Sequence, residues 1–387
     1  MDPSSTVSSV VVVGSGLAGF ECARALRAQG YQGRLVLLGA EPEPPYDRPP
    51  LSKELLAGAD VKVHFDVSQV VDLEVRLGEP ARGLGVSGVV TDDNEWHADA
   101  VVVATGSEPI ALPGAVTLRT LSDARRLHEQ LYPGARLAIV GAGWIGAEVA
   151  TAAAAAGCDV TVYEAAETPY SAALPPVVAD KLVPWFAEAG VTLRVGARVD
   201  DVSTLDADVV LAGLGARPAT AWLRGCDVEL DDRGAVVVDD HLRASKPGVF
   251  AVGDCAAWWS RRYDMRLRVE HWDTALHAPA TVAAAVLGAV DQPYDPVPYF
   301  WSDQFGRNLQ YAGHAGPSDR LVWRGDPTSS TWAVGWFSAT DSTRLMALLT
   351  VNRPRDLMQA RKLMVEETPI DPDLFADPDT AVKQAAV

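Results

Sequence analysis

An apolar run that ends in a Gly-x-Gly-x-x-Gly turn occurs twice in this chain. The first copy is VVVVGSGLAG at residues 10–19, and the second is AIVGAGWIGA at residues 138–147. In each copy the turn is followed by helix-forming residues and then by another apolar run. The order strand, tight turn, helix, strand is typical of a dinucleotide-binding unit with parallel strands. The repeat therefore predicts an α/β fold with two Rossmann-like domains.

The hydrophobic pattern also locates the elements around the two turns. It predicts helices that run from the turns to about residues 29 and 156. The predicted strands lie at 9–13, 34–38, 100–104, 137–140, 159–163, 208–212 and 248–252.

The pattern changes in two other parts of the chain. The proline-rich segment 41–50 predicts a loop without regular structure. From residue 297 onward the sequence predicts aromatic strands such as 332–338 and then a helix near 355–364. The acidic, proline-containing residues 368–387 are expected to lie over the surface.

Each glycine of the two turns has its own task. Gly14 permits the tight turn, Gly16 lets the backbone approach a pyrophosphate, and Gly19 lets the helix pack on the strand. The start of the helix then presents free N–H groups and a positive dipole to the phosphates. One such motif is a weak indication, but two in this context predict two nucleotide sites. The second turn repeats the arrangement with Gly141, Gly143 and Gly146.

An acidic residue follows the second strand of each unit, where a dinucleotide ribose needs a hydrogen-bond acceptor. Glu41 comes just after the strand LVLL, and Glu164 directly follows TVY. Two sites suggest two different dinucleotides, a bound flavin and an exchangeable nicotinamide. Spacing alone leaves open which motif holds which. Because Glu164 would repel a 2′-phosphate and is followed by alanines, we expect NADH rather than NADPH.

Charge and cysteine content disfavour several other classes. The chain carries 51 acidic and 33 basic residues, a net charge of −18, which disfavours non-specific binding to nucleic acid. Cys22, Cys158, Cys226 and Cys255 are far apart. We therefore expect four buried free thiols, with no disulfide framework, metal site or redox dithiol. No apolar run is long enough for a membrane helix and no secretory pattern is present, so we expect a cytoplasmic protein.

Several further stretches carry a resemblance to a known family. The stretches are PYDRPPLSK at 45–53, VVVATG at 101–106, GVFAVGDC at 248–255, VEHWD at 269–273, YFWSDQFG at 299–306 and VNRPRD at 351–356. Together they resemble the FAD-dependent ferredoxin reductases of bacterial oxygenase systems, of the putidaredoxin reductase and aromatic-ring dioxygenase reductase type, over nearly the whole chain.

The resemblance implies a glutathione-reductase-like arrangement of domains. A discontinuous FAD-binding domain would comprise residues 1–112 and 238–298, and an NAD-binding domain would comprise residues 113–237. A C-terminal α+β interface domain would comprise residues 299–387.

The resemblance also implies roles for residues at matching positions. Arg48 and Lys53 would lie near the FAD phosphates and ring, and Asp254 would hold the ribitol chain. Glu148 would lie near the nicotinamide, pair with Lys53, and act with Lys53 and Trp301 in electron transfer. The other FAD-binding residues would be Gly14, Gly16, Gly19, Glu41, Thr105, Gly106, Gly253, Glu270, His271, Trp272 and Trp301. The NADH-binding residues would be Gly141, Gly143, Ile145, Gly146 and Glu164.

Taken without the family, some of these residues have simpler interpretations. Lys53 fits a surface lysine, Asp254 fits a helix N-cap, and Trp301 fits a core residue. Nothing in the sequence gives His271 or His277 the task of a base.

Two stretches depart from the family pattern or stand out from the rest of the chain. Residues 277–279, His-Ala-Pro, stand where relatives usually have Gln-Gly, and we expect the proline to disturb the helix there. WWSRRY at 258–263 is aromatic and basic despite the acidic total. It is either a docking surface for an acidic iron–sulfur protein or an exposed hairpin. Its basic residues and their near neighbours are Arg261, Arg262, Arg266 and Arg268.

The activity implied by the resemblance is a transfer of hydride from NADH to FAD and of single electrons from FAD to an iron–sulfur ferredoxin, of the [2Fe–2S] or a similar type. That ferredoxin would supply an oxygenase or a cytochrome P450. Two rival functions stay open: a flavin oxidase or monooxygenase acting directly on oxygen or a small substrate, and an NADH-sensing flavoprotein. A disulfide reductase is disfavoured because the sequence has no cysteine pair near PYDRPPLSK.

Overall fold

The computed structural model describes residues 7–289 and 292–387. Residues 1–6 and 290–291, which the predicted FAD-binding ranges include, lie outside the described residues. The described residues group into two compact units. The first takes those in Met1–Asp47, Lys62–Glu108 and Ala216–Pro296, and the second takes Arg48–Val61, Pro109–Gly215 and Val297–Val387. The three-domain division stays a prediction.

The strands and helices are numbered along the described part of the chain. The α-helices are α1 (Leu17–Ala28), α2 (Leu121–His128), α3 (Trp144–Ala155), α4 (Pro176–Ala179), α5 (Val183–Glu188), α6 (Trp272–Val286), α7 (Pro354–Val365) and α8 (Pro372–Ala376). The strands are β1 (Ser9–Val13), β2 (Arg34–Gly39), β3 (Leu73–Leu77), β4 (Gly83–Leu84), β5 (Gly88–Val90), β6 (Glu95–His97), β7 (Ala100–Val103), β8 (Ser107–Pro109), β9 (Arg136–Val140), β10 (Asp159–Tyr163), β11 (Thr192–Arg194), β12 (Val209–Ala212), β13 (Ala216–Pro218), β14 (Val236–Val238), β15 (Val249–Ala251), β16 (Ala256–Ser260), β17 (Met265–Leu267), β18 (Tyr299–Gln304), β19 (Arg307–Gly313), β20 (Arg320–Arg324), β21 (Trp332–Phe337) and β22 (Leu345–Val351).

The first unit is built on a five-stranded sheet in which every strand runs parallel, in the order β15-β7-β1-β2-β3. The central strand, β1, has four valines that are almost fully buried, as expected for a strand covered on both faces. Helix α1 follows β1 through the first glycine turn and packs against α6. Two small three-stranded sheets, β14-β16-β17 and β4-β5-β6, also belong to this unit.

The second unit contains the second glycine turn. Strands β11-β10-β9-β12 form a parallel sheet, and α3 follows β9 through the turn. The chain from Tyr299 onward forms an antiparallel sheet in the order β18-β19-β22-β21-β20, against which α7 packs. The predicted α/β fold, with two parallel dinucleotide-type sheets and a C-terminal α+β part, is confirmed.

The proline-rich segment is less irregular than its sequence predicts. Residues Pro49–Ser52 form a short 3-10 helix whose first two positions are prolines. Proline is tolerated there because the first N–H groups of a helix have no partner within the helix. The expectation that 41–50 lacks regular structure is therefore wrong for its last two residues.

The C-terminal residues 368–387 do not simply cover the surface. The side chains of Ile370, Phe375, Val382 and Ala385 are fully buried in the hydrophobic core of the C-terminal part. The expectation from composition was wrong because a few well-spaced apolar residues anchor an otherwise polar segment.

A buried arginine also binds this C-terminal segment. Arg324 is 1% exposed, and its guanidinium pairs with Asp356 at 2.8 Å. It also donates hydrogen bonds to the backbone carbonyls of Phe375, Asp377 and Thr380. Burying a charge is favourable only when its hydrogen-bonding groups are satisfied, and these carbonyls supply the missing partners.

The proline in the His-Ala-Pro stretch does not end its helix. Pro279 lies inside α6, which continues to Val286. Proline removes one hydrogen bond of the helix, but Ala278 and Pro279 are both buried, and α6 packs against α1. The expected disturbance is therefore limited to the missing hydrogen bond, and the helix continues through Pro279.

All four cysteines are free thiols. Cys22 and Cys255 are buried as predicted, whereas Cys158 and Cys226 are only half-buried, which corrects the expectation of four buried thiols. In the part of the chain that the structure describes, no helix combines the length and the apolar character needed to cross a membrane.

Candidate functional site

The first glycine turn is packed so that two of its three glycines are sterically required. A Cβ added at Gly14, whose φ is +113°, would lie 2.2 Å from the carbonyl oxygen of Ala104. A Cβ at Gly19 would lie 1.8 Å from the carbonyl oxygen of Gly14. A Cβ at Gly16, in contrast, meets no heavy atom of another described residue within 4 Å. Gly16 thus faces open space, as a backbone that approaches a ligand would.

The start of helix α1 fits the phosphates of a dinucleotide. Gly16 is the N-cap, and no side chain of the described residues caps the helix there. The first turn carries no acidic residue. The first N–H groups of α1 are therefore available to an anion, and the helix dipole favours a negative charge at this end.

The second glycine turn has the same construction. Added Cβ atoms at Gly141 and Gly146 would lie 2.3 Å from the oxygen of Gly213 and 2.2 Å from the oxygen of Gly141. At Gly143 the surrounding 4 Å again contain no heavy atom of another described residue. Gly143 is the N-cap of α3, which lacks a side-chain cap among the described residues. Each unit therefore offers its own pyrophosphate-type turn.

The two acids that follow the second strands have different partners. Glu41 accepts a 2.5 Å hydrogen bond from the Tyr46 hydroxyl. Glu164 accepts backbone hydrogen bonds from Ala142, inside the second glycine turn, and from Ala166, both at 2.9 Å. The carboxylate of Glu164 thus braces the turn that is predicted to bind NADH.

Residues near the ends of strands β7 and β15 form a polar group in the first unit. Asp254 accepts a 2.8 Å hydrogen bond from the Ser107 hydroxyl. It lies inside a short 3-10 turn, Gly253–Cys255, and is not the N-cap of a helix. Gly106 adopts a left-handed backbone, with φ of +67°. Burial raises the pKa of the Cys255 thiol, and hydrogen bonds with Gly106 and Thr105 oppose that rise.

The VEHWD stretch is fixed by local contacts. Glu270 pairs with Arg268. The Trp272 indole donates to the Asp47 carboxylate at 2.8 Å, which joins VEHWD to the PYDRPPLSK stretch within the first unit. Burial lowers the pKa of His271 to about 4, although the negative charge of Asp254 opposes the shift. His271 is therefore neutral at pH 7.

Lys53 and Glu148 are brought together in the second unit. The Lys53 ammonium nitrogen lies 2.8 Å from Glu148 Oε2. The Ser52 hydroxyl donates to the same oxygen, and the Ser302 hydroxyl donates to Glu148 Oε1 at 2.6 Å. Glu148 is only 3% exposed, so this is a buried carboxylate with three donors, one of them a cation. The part of the pair in electron transfer stays a prediction.

The remaining predicted residues of the second unit lie on separate elements. Ile145, in the first turn of α3, is 44% exposed. Arg48 donates a 2.6 Å hydrogen bond to the carbonyl of Arg119. Trp301, on β18, is half-buried and stacks with Tyr299 at a ring-centroid distance of 6.2 Å.

The residues of the 258–263 stretch form a hairpin, which was one of the two interpretations. Strands β16 and β17 pair antiparallel, with Trp258 buried and Trp259 44% exposed. Arg261 pairs with Asp240. Arg266 donates to backbone carbonyls. The partners of Arg261 and of Arg268, which pairs with Glu270, reduce the positive charge of this surface, and its role in docking stays a prediction.

Sequence reasoning missed the residues that surround Glu148. Ser302 and Gln304 lie within the YFWSDQFG stretch, and their alternate spacing on β18 places both on one face of the strand. Ser52 stands next to Lys53 in PYDRPPLSK. Tyr170, which also belongs to this group, lies in a segment that had no recognisable pattern.

Comparison with known proteins assigns the family. Residues 8–278 match the family described as pyridine nucleotide-disulphide oxidoreductase. The chain belongs to this family. Residues 299–386 match a second family, described as reductase C-terminal.

The similar proteins include reductases that match almost the whole length of the chain. The ferredoxin–NAD(+) reductase component of the p-cumate 2,3-dioxygenase system of Pseudomonas putida is 34% identical, over 98% of this chain and 99% of its own. The crystal structure of the covalent putidaredoxin reductase–putidaredoxin complex is 31% identical, with a TM-score of 0.92 and coverage of 98% of both chains. The crystal structure of Fdr9 is 44% identical, with a TM-score of 0.89, and covers 96% of this chain and 98% of its own.

These similarities confirm the predicted family resemblance and fold. The chain is an oxidoreductase, and its cofactors are FAD and NAD(H). The two open glycine turns fit the pyrophosphates of two such dinucleotides.

Proposed function

We propose that this protein is an FAD-dependent NADH:ferredoxin oxidoreductase, whose ferredoxin supplies an oxygenase or a cytochrome P450. The observation that carries the proposal is the pair of open glycine turns, one in each unit. A ferredoxin–NAD(+) reductase and a putidaredoxin reductase each match 98% of the chain that carries them. The oxygenase link comes from the relatives, since one belongs to a dioxygenase system and another is joined to putidaredoxin.

We assign FAD to the first unit and NADH to the second. In the first unit, the N–H groups around Gly16 would bind the FAD pyrophosphate, and Glu41 and Asp254 would bind its ribose and ribitol hydroxyls. In the second unit, Gly143 and the start of α3 would bind the NADH pyrophosphate, and Glu164 would bind the ribose. The carboxylate of Glu164 supports NADH over NADPH, because a 2′-phosphate would meet a negative charge there.

When both cofactors are bound, FAD supplies the conversion of one hydride from NADH into two single electrons. The chain itself contributes binding, orientation and fixed charges. The buried Lys53–Glu148 pair holds a cation in a fixed position beside a carboxylate that cannot move freely. No residue of the chain has to act as a nucleophile in this scheme.

The state of the cysteines supports an electron acceptor that is not a disulfide of this chain. Among the described residues, all four cysteines are free. Burial raises the pKa values of Cys22 and Cys255, which keeps both thiols protonated and unreactive. Free cysteines are typical of proteins in a reducing compartment, so they also support a cytoplasmic location, which we propose.

The test is anaerobic oxidation of NADH by the FAD-loaded protein, with and without bacterial [2Fe–2S] ferredoxins. We expect a large ferredoxin-dependent increase in rate, accompanied by bleaching of the ferredoxin cluster absorbance. The same ferredoxins with their clusters removed serve as the control and should give no increase.

Two other outcomes would replace the proposal. Rapid oxidation once air is admitted, without any ferredoxin response, would indicate an oxidase or monooxygenase. A long-lived complex of reduced flavin and NAD⁺ that passes electrons to no acceptor would indicate an NADH sensor.

A further inference from the structure

A chain of buried hydrogen bonds leads to Glu148 from a residue outside every motif. The Tyr170 hydroxyl donates to Gln304 Oε1. The amide nitrogen of Gln304 donates to the Ser302 hydroxyl at 3.1 Å, and that hydroxyl donates to Glu148 Oε1 at 2.6 Å. We refer to Tyr170, Gln304 and Ser302 as the polar relay. All three are buried, with exposures of 3%, 1% and 1%.

The donors of the polar relay all point the same way. Burial, and then the negative charge of Glu148, raise the pKa of Tyr170 well above its usual value, so its hydroxyl keeps its proton. That proton fixes the amide of Gln304 with its oxygen towards Tyr170 and its nitrogen towards Ser302. Because Ser302 accepts from the amide, its single hydroxyl proton is directed at the carboxylate. The relay therefore ends in a hydroxyl donor that helps to hold the Glu148 carboxylate in place.

The carboxylate, in turn, fixes the ammonium group of Lys53. One carboxylate oxygen receives Ser302, and the other receives both Ser52 and Lys53. With its oxygens held from both sides, the carboxylate has one orientation, and Lys53 follows it. Loss of a relay donor would leave a buried charge partly unsatisfied and free to turn.

Tyr170 also contacts the turn that is proposed to hold NADH. Its backbone N–H donates to the carbonyl of Ala142 at 2.9 Å, inside the second glycine turn. Its φ is +55°, in the left-handed region that a bulky residue rarely adopts. Its ring packs on Trp144, the first residue of α3, at a centroid distance of 4.8 Å. One residue thus joins the glycine turn to the relay, at the kind of strained position that accompanies functional sites.

We propose that Tyr170, Gln304 and Ser302 are positioning residues that orient the Lys53–Glu148 pair for the nicotinamide end of NADH. This inference rests on the proposed function, which places Glu148 near the nicotinamide. The relay touches no substrate in this scheme, and its effect passes entirely through the pair.

The test uses the FAD-loaded protein and two deletions of a relay hydroxyl, Tyr170→Phe and Ser302→Ala. Each is made alone and together with Lys53→Met, to give double-mutant cycles. Tyr311→Phe is the matched control. Tyr311 is a half-buried tyrosine of the second unit whose ring stacks on Phe300, and it lies outside the relay. Anaerobic stopped-flow reduction of the flavin gives the limiting rate and the NADH dissociation constant for each variant.

We expect Ser302→Ala to lower the limiting rate about tenfold, because it removes a direct bond to the charged carboxylate. Tyr170→Phe acts through two further bonds, and we expect a loss of about threefold. In both variants the NADH dissociation constant should stay within about twofold. In the Lys53→Met background the same changes should have almost no further effect, as expected for groups that act as one unit.

A second measurement follows the lysine without turnover. Lys53 is acylated by limiting acetic anhydride and quantified by mass spectrometry, with Lys246, which donates to the Cys226 carbonyl, as the internal reference. The relay variants should label Lys53 several-fold faster relative to Lys246, and Tyr311→Phe should not.

Three results would overturn the inference. They are losses of limiting rate that persist in the Lys53→Met background, a limiting rate of Tyr170→Phe equal to that of Tyr311→Phe, or unchanged labelling of Lys53 in the relay variants. If instead Lys53→Met alone leaves flavin reduction unchanged, the assigned role of the pair in the proposed function fails. The labelling experiment still judges the relay in that case.

Discussion

Replacing Glu164 by arginine should move the cofactor preference from NADH towards NADPH. In the native chain this carboxylate accepts the N–H groups of Ala142 and Ala166, both at 2.9 Å. Glu164→Arg removes those acceptors and the proposed contact to the ribose, and it replaces a negative charge by a positive one. The variant therefore changes both the support of the glycine turn and the charge that a 2′-phosphate would meet.

The size of the effect follows from these contacts. A hydrogen bond to a charged group is worth about 1.5–3 kcal/mol, so losing the ribose contact should lower kcat/KM for NADH about 10- to 150-fold. For NADPH the repulsion disappears and a charge-assisted bond to the 2′-phosphate becomes available, so kcat/KM should rise about tenfold.

Two further variants separate charge from turn support. Glu164→Gln keeps one acceptor oxygen but loses the charge, and we expect a smaller loss with NADH and little gain with NADPH. Glu167→Arg makes the same charge change at an exposed position nearby and should leave both cofactors within about twofold. Steady-state ferredoxin reduction with each cofactor measures all three variants. An NADPH-to-NADH ratio in Glu164→Arg that matches the ratio in Glu167→Arg would refute the assignment.

Three other perturbations test the remaining structure. Gly16→Val should fold without flavin, because its side chain enters open space where the pyrophosphate would bind, whereas Gly14→Ala should destabilise the fold by its clash with the Ala104 carbonyl. Flavin absorbance per protein and thermal melting distinguish the two variants, and a yellow, fully loaded Gly16→Val protein would contradict the FAD site. Arg324→Ala should lower the free energy of unfolding by about 1–3 kcal/mol for each buried carbonyl that it leaves without a donor, on Phe375, Asp377 and Thr380, whereas Asp356 keeps its ion pair with Arg353. A loss below about 1 kcal/mol in chemical denaturation would contradict this. His271 has a pKa of about 4 when folded, below its unfolded value, so it contributes stability above about pH 6.5 that is lost as pH falls towards 4. The contribution is at most about 3 kcal/mol, and the free energy of unfolding should differ less between pH 7 and pH 5 in His271→Asn than in the native chain.

The glycine turns were predictable because their chemistry is local. Gly14 and Gly141 need a left-handed backbone and a close approach that only glycine allows, and both requirements show within a few residues of sequence. The buried strands were equally clear, because a parallel sheet covered on both faces needs continuous apolar runs.

The polar relay was not predictable, because the fold brings its members together from distant parts of the chain. Tyr170 and Gln304 bond through their side chains across 134 positions of sequence, and Glu148 and Ser302 across 154. None of these residue types is unusual by itself. The prediction that residues 368–387 lie over the surface failed for a related reason. Composition averages over the few apolar side chains, such as Phe375, that decide where a segment lies.

The guanidinium of Arg324 has a practical consequence for work on this protein. Three of its carbonyl partners, on Phe375, Asp377 and Thr380, belong to the last stretch of the chain. A deletion that begins just after Phe375 would therefore remove acceptors from a buried cation in the core. Shortened versions of the protein intended to aid crystallisation should keep this stretch, and an affinity tag at the C-terminus needs a linker long enough to leave Val382 and Ala385 packed.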